Sequence, residues 1–190
     1  MMSRTCGSIL GSVFGSAFGF ASGLTLGLSL VTSIAFAKKV KEKDAFPLER
    51  MSQMDALEAR KMASVKSEIS GHSGKVVLVD FWASWCGPCK QALPAYNKLY
   101  SKFKKDGFSV VGINVDDEKS AGVKFLQEHP VNFPIVYDSG KKLVSEVGVV
   151  TMPTSYLVDS KGNVHEVHQG FREGDESKMA RDIAGLLKKK

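Results

Sequence analysis

Two cysteines in the stretch WCGPCK, residues 85 to 90, have the spacing of a redox-active pair, and the 190-residue chain has one other cysteine. Cys86 follows an apolar run and stands where a helix is predicted to begin, so unpaired N–H groups and the helix dipole favour its nucleophilic thiolate. Gly87 and Pro88 shape a first turn across which Cys86 and Cys89 can form a disulfide. Cys86 can therefore attack the disulfide of a partner, and Cys89 can resolve the mixed disulfide that results.

A carboxylate precedes this pair at a position where a charge is unfavourable. Asp80 interrupts the apolar run VVLVDFWA, residues 76 to 83, which predicts a strand buried on both faces. Burial disfavours the ionised form and raises the pKa of a carboxyl group towards that of a useful base. We therefore expect Asp80 to accept the proton of Cys89, the more deeply placed thiol. The alternative is a position at a strand edge that faces solvent.

The histidines do not complete a metal site with the cysteines. A Cys-x-x-Cys pair can be half of a zinc site, but the sequence has no second Cys-x-x-Cys or Cys/His pair to complete it. His165 and His168 are three apart on a predicted strand and so point to opposite faces, while His72 and His129 fall in predicted loops. All four are expected at the surface, and neither a metal nor a cofactor is predicted.

The composition of the chain excludes several classes of protein. Hydrophobic residues make up 43% of the chain and charged residues 24%, which is typical of a globular protein. The net charge of +6 comes from scattered lysines rather than from a dense basic face, so nucleic-acid binding is not expected. Cysteine is too sparse for a small domain held together by disulfides.

Residues 1 to 37 predict an export signal or a membrane anchor. Arg4 is their one charged residue, and they end in Ala-Phe-Ala, an A-x-A cleavage pattern. The apolar stretch is also long enough to span a bilayer, which needs about 20 residues, and glycines recur at every fourth position from Gly7 to Gly27, which would let a second membrane helix approach closely. Lysines after the stretch would favour a cytoplasmic domain if the anchor were kept. Because the cleavage pattern precedes a single soluble domain, we expect export to the periplasm, either secreted or anchored to the inner membrane.

Residues 38 to 46 are predicted as a charged linker, and residues 47 to 190 as one α/β domain. Strands alternate with helices and a hairpin follows, which implies a parallel sheet covered on both faces with antiparallel strands added at the end. The predicted strands cover 76–83, 108–116 and 133–138. The predicted helices cover 47–69, 89–107, 118–129 (stopped before Pro130) and 140–149. A hairpin over 154–170 that turns at DSKGN and a terminal helix over 173–190 complete the domain.

Two stretches of the chain resemble the thioredoxin family. The stretch VDFWASWCGPCKQALP resembles the active-site segment of thioredoxins nearly residue for residue, including Trp85 before the first cysteine and Pro94 in the helix. The stretch VTMPTSYLVDSKGNV is similar to the second family signature, in which a cis-proline precedes the hairpin. That proline corresponds to Pro153, with Met152 before it and Thr154 after it. In the family this loop packs beside the cysteines and holds the substrate backbone.

The resemblance covers about residues 70 to 187 and implies a thioredoxin-like fold, a central mixed sheet with helices on both faces. The stretch FPIVYDSGKKLVSEVGV inserts an extra strand and helix before the cis-proline, as in TlpA-like thioredoxins of the bacterial cell envelope. Those proteins are mostly reductants that serve cytochrome c assembly or copper-site maturation. The resemblance therefore implies a thiol-disulfide oxidoreductase that reduces partner disulfides, such as those of apocytochrome c or copper-site proteins, and is itself reduced by a membrane thiol donor.

The chain departs from the family pattern at two positions, and other functions stay open. Many TlpA-like proteins carry a glutamate where this chain has Ala92, and the lysine that thioredoxins carry on the neighbouring strand falls near Gly112. A disulfide oxidant or isomerase is one alternative. A second is a Cu(I)-binding module that uses the cysteine pair with a thioether from Met152. A third is a thiol peroxidase, since peroxiredoxins share the inserted strand and helix but lack this tryptophan-flanked pair.

Overall fold

The computed structural model of the protein describes residues 39–48, 55–56 and 75–189. The strands are β1 (Asp55–Ala56), β2 (Val76–Trp82), β3 (Phe108–Asn114), β4 (Ile135–Tyr137), β5 (Thr154–Val158) and β6 (Val164–Gln169). The helices are α1 (Cys89–Phe103), α2 (Lys119–Glu128), α3 (Lys142–Glu146) and α4 (Asp175–Leu187). From β2 to α4 the elements follow the predicted order, and most of them are a few residues shorter than predicted.

The strands form one mixed sheet in the order β1-β4-β3-β2-β5-β6. Strands β2, β3 and β4 run parallel, whereas β5 is antiparallel to β2 and β6 is antiparallel to β5. Every position of β2 and β3 is buried, as is usual for central parallel strands that are covered on both faces. The predicted thioredoxin-like α/β fold, with helices on both faces of a mixed sheet, is confirmed.

Helix α1 packs on the sheet directly after the cysteine loop. It begins at Cys89 and ends at Phe103, with an apolar face that contacts β3 and α4. A short 3-10 turn follows, and Gly107 (φ 96°) lies in the left-handed region, where glycine has no steric penalty, and leads the chain into β3. The predicted helix over residues 89–107 is therefore present as α1 over 89–103 followed by the 3-10 turn, and the turn ends at Gly107 as predicted.

The predicted insert before the cis-proline is present as β4, a 3-10 turn and α3. The buried carboxylate of Asp138 accepts hydrogen bonds from the backbone N–H groups of Leu143 (3.1 Å) and Val144 (2.8 Å). These are N–H groups of the first turn of α3, which have no partner within the helix. Asp138 therefore fixes the start of α3 relative to the end of β4.

Two predictions for the N-terminal part of the domain need correction. Residues 38–46 were predicted as a charged linker, but the described residues 39–48, hereafter the N-terminal segment, contact the domain: Lys43 N–H donates to the Val164 carbonyl (2.6 Å), and Phe46 and Leu48 are buried in the core. Within the helix predicted over 47–69, residues 55–56 form the strand β1 instead and pair with β4. The rest of that helix, the export segment and His72 lie outside the described residues. No helix in the described ranges is long and apolar enough to cross a membrane.

Candidate active site

The loop between β2 and α1 carries both cysteines. The Cys86 N–H donates to the carbonyl of Ala83 (3.1 Å), which turns the chain towards the helix. Cys89 is the first residue of α1, and its backbone N–H donates to the Cys86 sulfur at 3.2 Å. The two sulfurs form a disulfide of 2.04 Å, with the Cα atoms 5.3 Å apart. Cys86 thus lies at a helix N-terminus, where N–H groups and the helix dipole favour a thiolate.

The two cysteines differ in their access to a partner. Cys86 is 4% exposed and Cys89 is 0% exposed, so the predicted order of burial is present. Around Cys86, the Trp85 side chain is 67% exposed and Gly87 and Pro88 are also exposed. A partner that approaches this loop therefore meets Cys86 first, with Trp85 beside it.

The second signature forms a loop at the same edge of the sheet. The Met152–Pro153 peptide bond is cis, as the resemblance implies. Pro153 is buried and accepts a hydrogen bond from Gly170 N–H (2.7 Å), while the Thr154 hydroxyl donates to the Thr151 carbonyl (2.7 Å). Thr154 begins β5, and its register on β2 places it opposite Phe81, just before the cysteine loop. The loop therefore lies beside the end of β2 that leads to the cysteines, with Met152 half-buried.

Asp80 is fully buried in the centre of the sheet, as predicted. It is 0% exposed, and neither of its carboxylate oxygens has a hydrogen-bond partner among the described residues. Loss of hydration raises the pKa of Asp80 well above its ordinary value of 3.8. A carboxyl group with a raised pKa can exchange a proton with a thiol near neutral pH, which is what the resolving step requires.

Gly112 lies opposite Asp80 on β3, near the position where thioredoxins carry a lysine. The packing around Gly112 leaves no room for such a side chain. A Cβ atom on Gly112 would fall on the Ile135 Cδ1 atom of the inserted strand β4, well inside van der Waals distance, and would lie 3.1 Å from the Trp82 Nε1 atom. The insert therefore fills the space that a longer side chain would need. Loss of hydration on burial is the cause that raises the pKa of Asp80.

A buried hydrogen-bond network holds the start of the cysteine loop. The Asp116 carboxylate, on the residue two after β3, accepts bonds from the Ser84 backbone N–H (3.1 Å) and hydroxyl (2.9 Å). The side-chain amide of Asn114 donates to the same carboxylate (2.8 Å). These residues were not among the site residues predicted from the sequence. Asn114 interrupts an apolar strand, the same signal that identified Asp80, but its pairing with the loop is a tertiary contact.

Ser155 and Tyr96 form a second buried polar contact that the sequence analysis missed. Ser155 is 0% exposed and lies opposite Asp80 on β5. Its hydroxyl is hydrogen-bonded to the Tyr96 hydroxyl of α1 at 3.3 Å. Burial, followed by the charge of Asp80, raises the pKa of Tyr96 well above its usual range. A serine inside the otherwise apolar strand TSYLV was the available signal.

The expected surface position of the histidines holds for His165 and fails for His168. His165 is exposed, whereas the His168 side chain is only 13% exposed and lies close to Asp182 of α4. His129 is half-buried, with its ring 4.6 Å from the ring of Phe125. His168 therefore belongs to the half-buried polar residues between β6 and α4.

The fold and the site together define a thioredoxin-like oxidoreductase, with a disulfide at a helix N-terminus, a neighbouring cis-proline and a buried carboxyl group. The sequence profile of the AhpC/TSA family matches residues 52–167, more than half of the chain, and the protein belongs to that family. The chain is 36% identical over 124 residues to the thiol-disulfide oxidoreductase ResA of Bacillus thuringiensis (strain Al Hakam), which covers 65% of this chain and 68% of that one.

Two further comparisons agree with this assignment. ResA of Bacillus subtilis (strain 168) is 34% identical over 121 residues, covering 64% of this chain and 66% of that protein. Among solved structures, the thiol:disulfide interchange protein DsbE from Chlorobium tepidum superimposes with a TM-score of 0.66 at 34% identity, over 78% of this chain and 99% of that one. The protein is thus a thioredoxin-like thiol-disulfide oxidoreductase.

Proposed function

We propose that this protein is a reductant of the cell envelope that transfers two electrons from Cys86 and Cys89 to disulfides of partner proteins. The observation that carries the proposal is the burial of three groups: Cys86 is 4% exposed, whereas Cys89 and Asp80, which lies on the strand that leads to the cysteines, are both 0% exposed. The motif CGPC and its flanking residues resemble thioredoxins. The potential of thioredoxin lies near −270 mV, against about −120 mV for the oxidant DsbA.

The first step takes place at Cys86. Its thiolate attacks one sulfur of the partner's disulfide, an S–S bond forms between the two proteins, and the partner's other sulfur leaves as a thiolate. The N–H groups at the start of α1 stabilise the attacking thiolate. The exposed Trp85 ring and the loop at Pro153 flank the cysteines and would hold the partner's chain during this exchange.

The second step uses Cys89 and Asp80. Cys89 transfers its proton to the Asp80 carboxylate and attacks the Cys86 sulfur, and the partner's second sulfur leaves as a thiolate. The Cys86–Cys89 disulfide of the structure corresponds to the product of this step. A membrane thiol donor would then return two electrons to the pair.

The composition of the segment before the domain supports the proposed location, and that location in turn supports the proposed partners. Residues 1–37 carry one charge and end in an A-x-A pattern, which supports an extracytoplasmic location, with the segment either removed or kept as an anchor. In that compartment the substrates would be exported proteins whose cysteines must be reduced before use, such as apocytochrome c or copper-site proteins. Fractionation of cells and determination of the mature N-terminus test both parts of this proposal.

The reduction potential of the cysteine pair tests the direction of transfer. The protein is equilibrated in glutathione or dithiothreitol buffers, and the fraction of disulfide is measured by thiol alkylation. We expect a potential well below the thiol poise of the envelope. A potential near that of DsbA would make the protein an oxidant or isomerase. A pair that does not cycle would remove the enzyme function and favour a Cu(I)-binding module.

A trapping experiment tests the order of the two cysteines. In Cys89→Ser the mixed disulfide at Cys86 cannot be resolved, so we expect partner proteins to accumulate as covalent adducts. The matched variant Cys86→Ser should form few adducts, because Cys89 is fully buried. Equal trapping by the two variants would contradict the assigned order. Hydrogen peroxide as the substrate tests the thiol peroxidase alternative, and we expect no turnover above that of free thiols.

A further inference from the structure

The buried position of Asp80 creates a requirement for proton exchange, given the proposed function. Each cycle places a proton on the Asp80 carboxyl group, and that proton must leave before the next cycle. Asp80 is 0% exposed, and no described residue forms a hydrogen bond with its oxygens. Apolar residues precede and follow it along β2. A polar route therefore does not follow β2 itself, and a polar side chain next to Asp80 lies across the sheet, on β5.

Such a route exists on one face of the sheet. Asp80 on β2 lies opposite Ser155 on β5, and Ser155 lies opposite His168 on β6. Side chains of residues that are directly opposite share a face and have Cβ atoms about 4.5–5.5 Å apart. The three side chains thus form a row from the sheet centre to its outer strand, and exposure rises from Asp80 and Ser155 at 0% to 13% for the His168 side chain.

Ser155, the middle residue of the row, is hydrogen-bonded to a residue of α1. The hydroxyl of Tyr96 is hydrogen-bonded to the hydroxyl of Ser155 at 3.3 Å. The Tyr96 ring is itself packed edge-on against Phe171, with ring centroids 5.7 Å apart. A serine hydroxyl both accepts and donates a proton, so Ser155 has the chemistry needed between a carboxyl group and an imidazole.

The outer end of the row has a proton acceptor and an outlet. The Nε2 atom of His168 is buried, has no hydrogen-bond partner among the described residues and lies 3.6 Å from a Glu166 oxygen. Lys178 of α4 forms ion pairs with Glu166 and with Asp182. The negative charge of Asp175 slightly opposes the lowering of the His168 pKa. Burial, opposed by Glu166, lowers the pKa of His168, which keeps the ring neutral and able to accept a proton near pH 7.

We propose that Ser155 and His168 relay protons between Asp80 and solvent, and that His168 is the outer acceptor of this relay. In the forward direction the Asp80 O–H gives its proton to the Ser155 oxygen while the Ser155 hydroxyl proton passes to the His168 imidazole. Because the Asp80 oxygens and the His168 Nε2 atom have no hydrogen-bond partner among the described residues, each transfer uses a bridging water or follows a side-chain rotation that closes the gap. The imidazolium is stabilised beside Glu166 and then releases the proton to solvent. When the disulfide is reduced again, protons pass along the same three residues from solvent to Asp80. The relay carries protons only, and the two electrons are exchanged at the cysteines.

The test measures the resolving step when a proton must first leave Asp80. The full-length protein, with Cys6→Ser so that only the pair reacts, is reduced and held at acid pH. It is then mixed at neutral pH with a chromogenic aromatic disulfide. The first aromatic thiolate reports attack by Cys86 and the second reports attack by Cys89. The variants are His168→Gln and Ser155→Ala, with His165→Gln as the matched control on the exposed face of the same strand.

We expect the second phase to slow about tenfold in His168→Gln and in Ser155→Ala. This is less than the roughly 10²–10⁴-fold that a positioned general acid or base typically contributes, because these residues act on Asp80 rather than on the thiol. The first phase and the reduction potential should not change. Added imidazole, a diffusible proton carrier, should restore the second phase in His168→Gln. His165→Gln should behave as the parent protein.

Two outcomes would overturn the relay. In one, His168→Gln matches His165→Gln in rate and pH profile. In the other, the rate falls but imidazole does not restore it, which indicates a structural effect of the substitution. These outcomes can be distinguished from a failure of the proposed function. If the protein is not a reductant, the parent protein itself does not release the second aromatic thiolate.

Discussion

The Asp116 carboxylate binds Ser84 at two points, accepting one hydrogen bond from its backbone N–H at 3.1 Å and another from its hydroxyl at 2.9 Å. The two residues are 32 positions apart, and the contact joins the cysteine loop to the chain just after β3. Asp116 is only 3% exposed. A backbone bond from Val115 N–H to the Trp82 carbonyl (3.0 Å) continues the same connection. The loop that presents Cys86 is therefore held by the neighbouring strand.

Removal of Asp116 should cost more stability than removal of the Ser84 hydroxyl. Ser84→Ala deletes one hydrogen bond, and we expect a loss of about 0.5–1.5 kcal/mol in the free energy of unfolding. Asp116→Ala leaves the half-buried Ser84 N–H and the buried Asn114 amide without this acceptor, and a buried group left unsatisfied costs about 1–3 kcal/mol. Urea unfolding of both variants measures the difference.

Asp117 provides the matched control for this prediction. Its side chain is 85% exposed and pairs with Lys141 at the surface. Asp117→Ala removes a carboxylate from the adjacent position without breaking the buried network, so its urea midpoint should stay close to that of the parent protein. If Ser84→Ala were the more destabilising of the two network variants, the role assigned to the Asp116 carboxylate would be wrong.

Asp80 should make the stability of the protein depend on pH in a defined direction. Because the folded-state pKa of Asp80 is raised well above the ordinary value of 3.8, the folded protein binds a proton that the unfolded chain has already lost. The favourable contribution is fully present below the unfolded pKa and is lost as pH rises through the folded pKa. Each unit of difference in pKa corresponds to about 1.4 kcal/mol.

Asp80→Asn removes this titration and keeps the shape of the side chain. We expect the variant to be more stable than the parent protein at alkaline pH, and the difference to vanish as the pH falls towards the unfolded pKa of Asp80. Thermal or urea unfolding across this range measures it, with the exposed Asp117→Asn as the control. A stability difference that does not vary with pH would show that Asp80 titrates at its ordinary pKa.

The burial of Asp80 was predictable from sequence because apolar residues surround it in one strand. Its neighbours across the sheet were not. Ser155, Gly112 and His168 come together through the register of four strands, which no local pattern fixes. The pairing of Ser84 with Asp116 is likewise a contact between distant residues. Local motifs therefore predicted the cysteines and the cis-proline loop, and the tertiary structure supplied the polar groups around them.

The order of the elements was predictable because each core strand and helix has a clear apolar period. The helix over 47–69 was predicted by the same rule, yet β1 within it pairs with β4. The edge of β4 offers unpaired backbone groups, and pairing satisfies them, which local periodicity does not take into account. The segment before it was assigned as a linker on its charges. The segment instead packs on the domain through Phe46, because its ring is buried while the lysines of the segment stay exposed to solvent.

Gly112 should not tolerate a side chain. In Gly112→Ala the new Cβ atom would overlap the Ile135 Cδ1 atom and crowd the Trp82 indole. Overpacking of this kind costs about 1–3 kcal/mol. Gly185→Ala is the control, because a Cβ there meets no atom within 4 Å, and alanine in the exposed part of α4 should stabilise the helix by about 0.5–1 kcal/mol. Opposite shifts of the unfolding midpoint are expected, and a stabilising Gly112→Ala would contradict the close packing of β4 on β3.

The N-terminal segment should contribute to the stability of the domain through Phe46. Its ring is 5% exposed and lies 5.1 Å from the Tyr156 ring, and the backbone around it bonds to the β5–β6 hairpin. Phe46→Ala removes a buried aromatic ring and leaves a cavity, so we expect a loss of about 3–5 kcal/mol. It should also accelerate proteolysis within residues 39–48. Lys41→Ala, an exposed position in the same segment, should change neither the unfolding midpoint nor the cleavage rate. If the two variants were equally stable and equally resistant, the segment would be a linker after all.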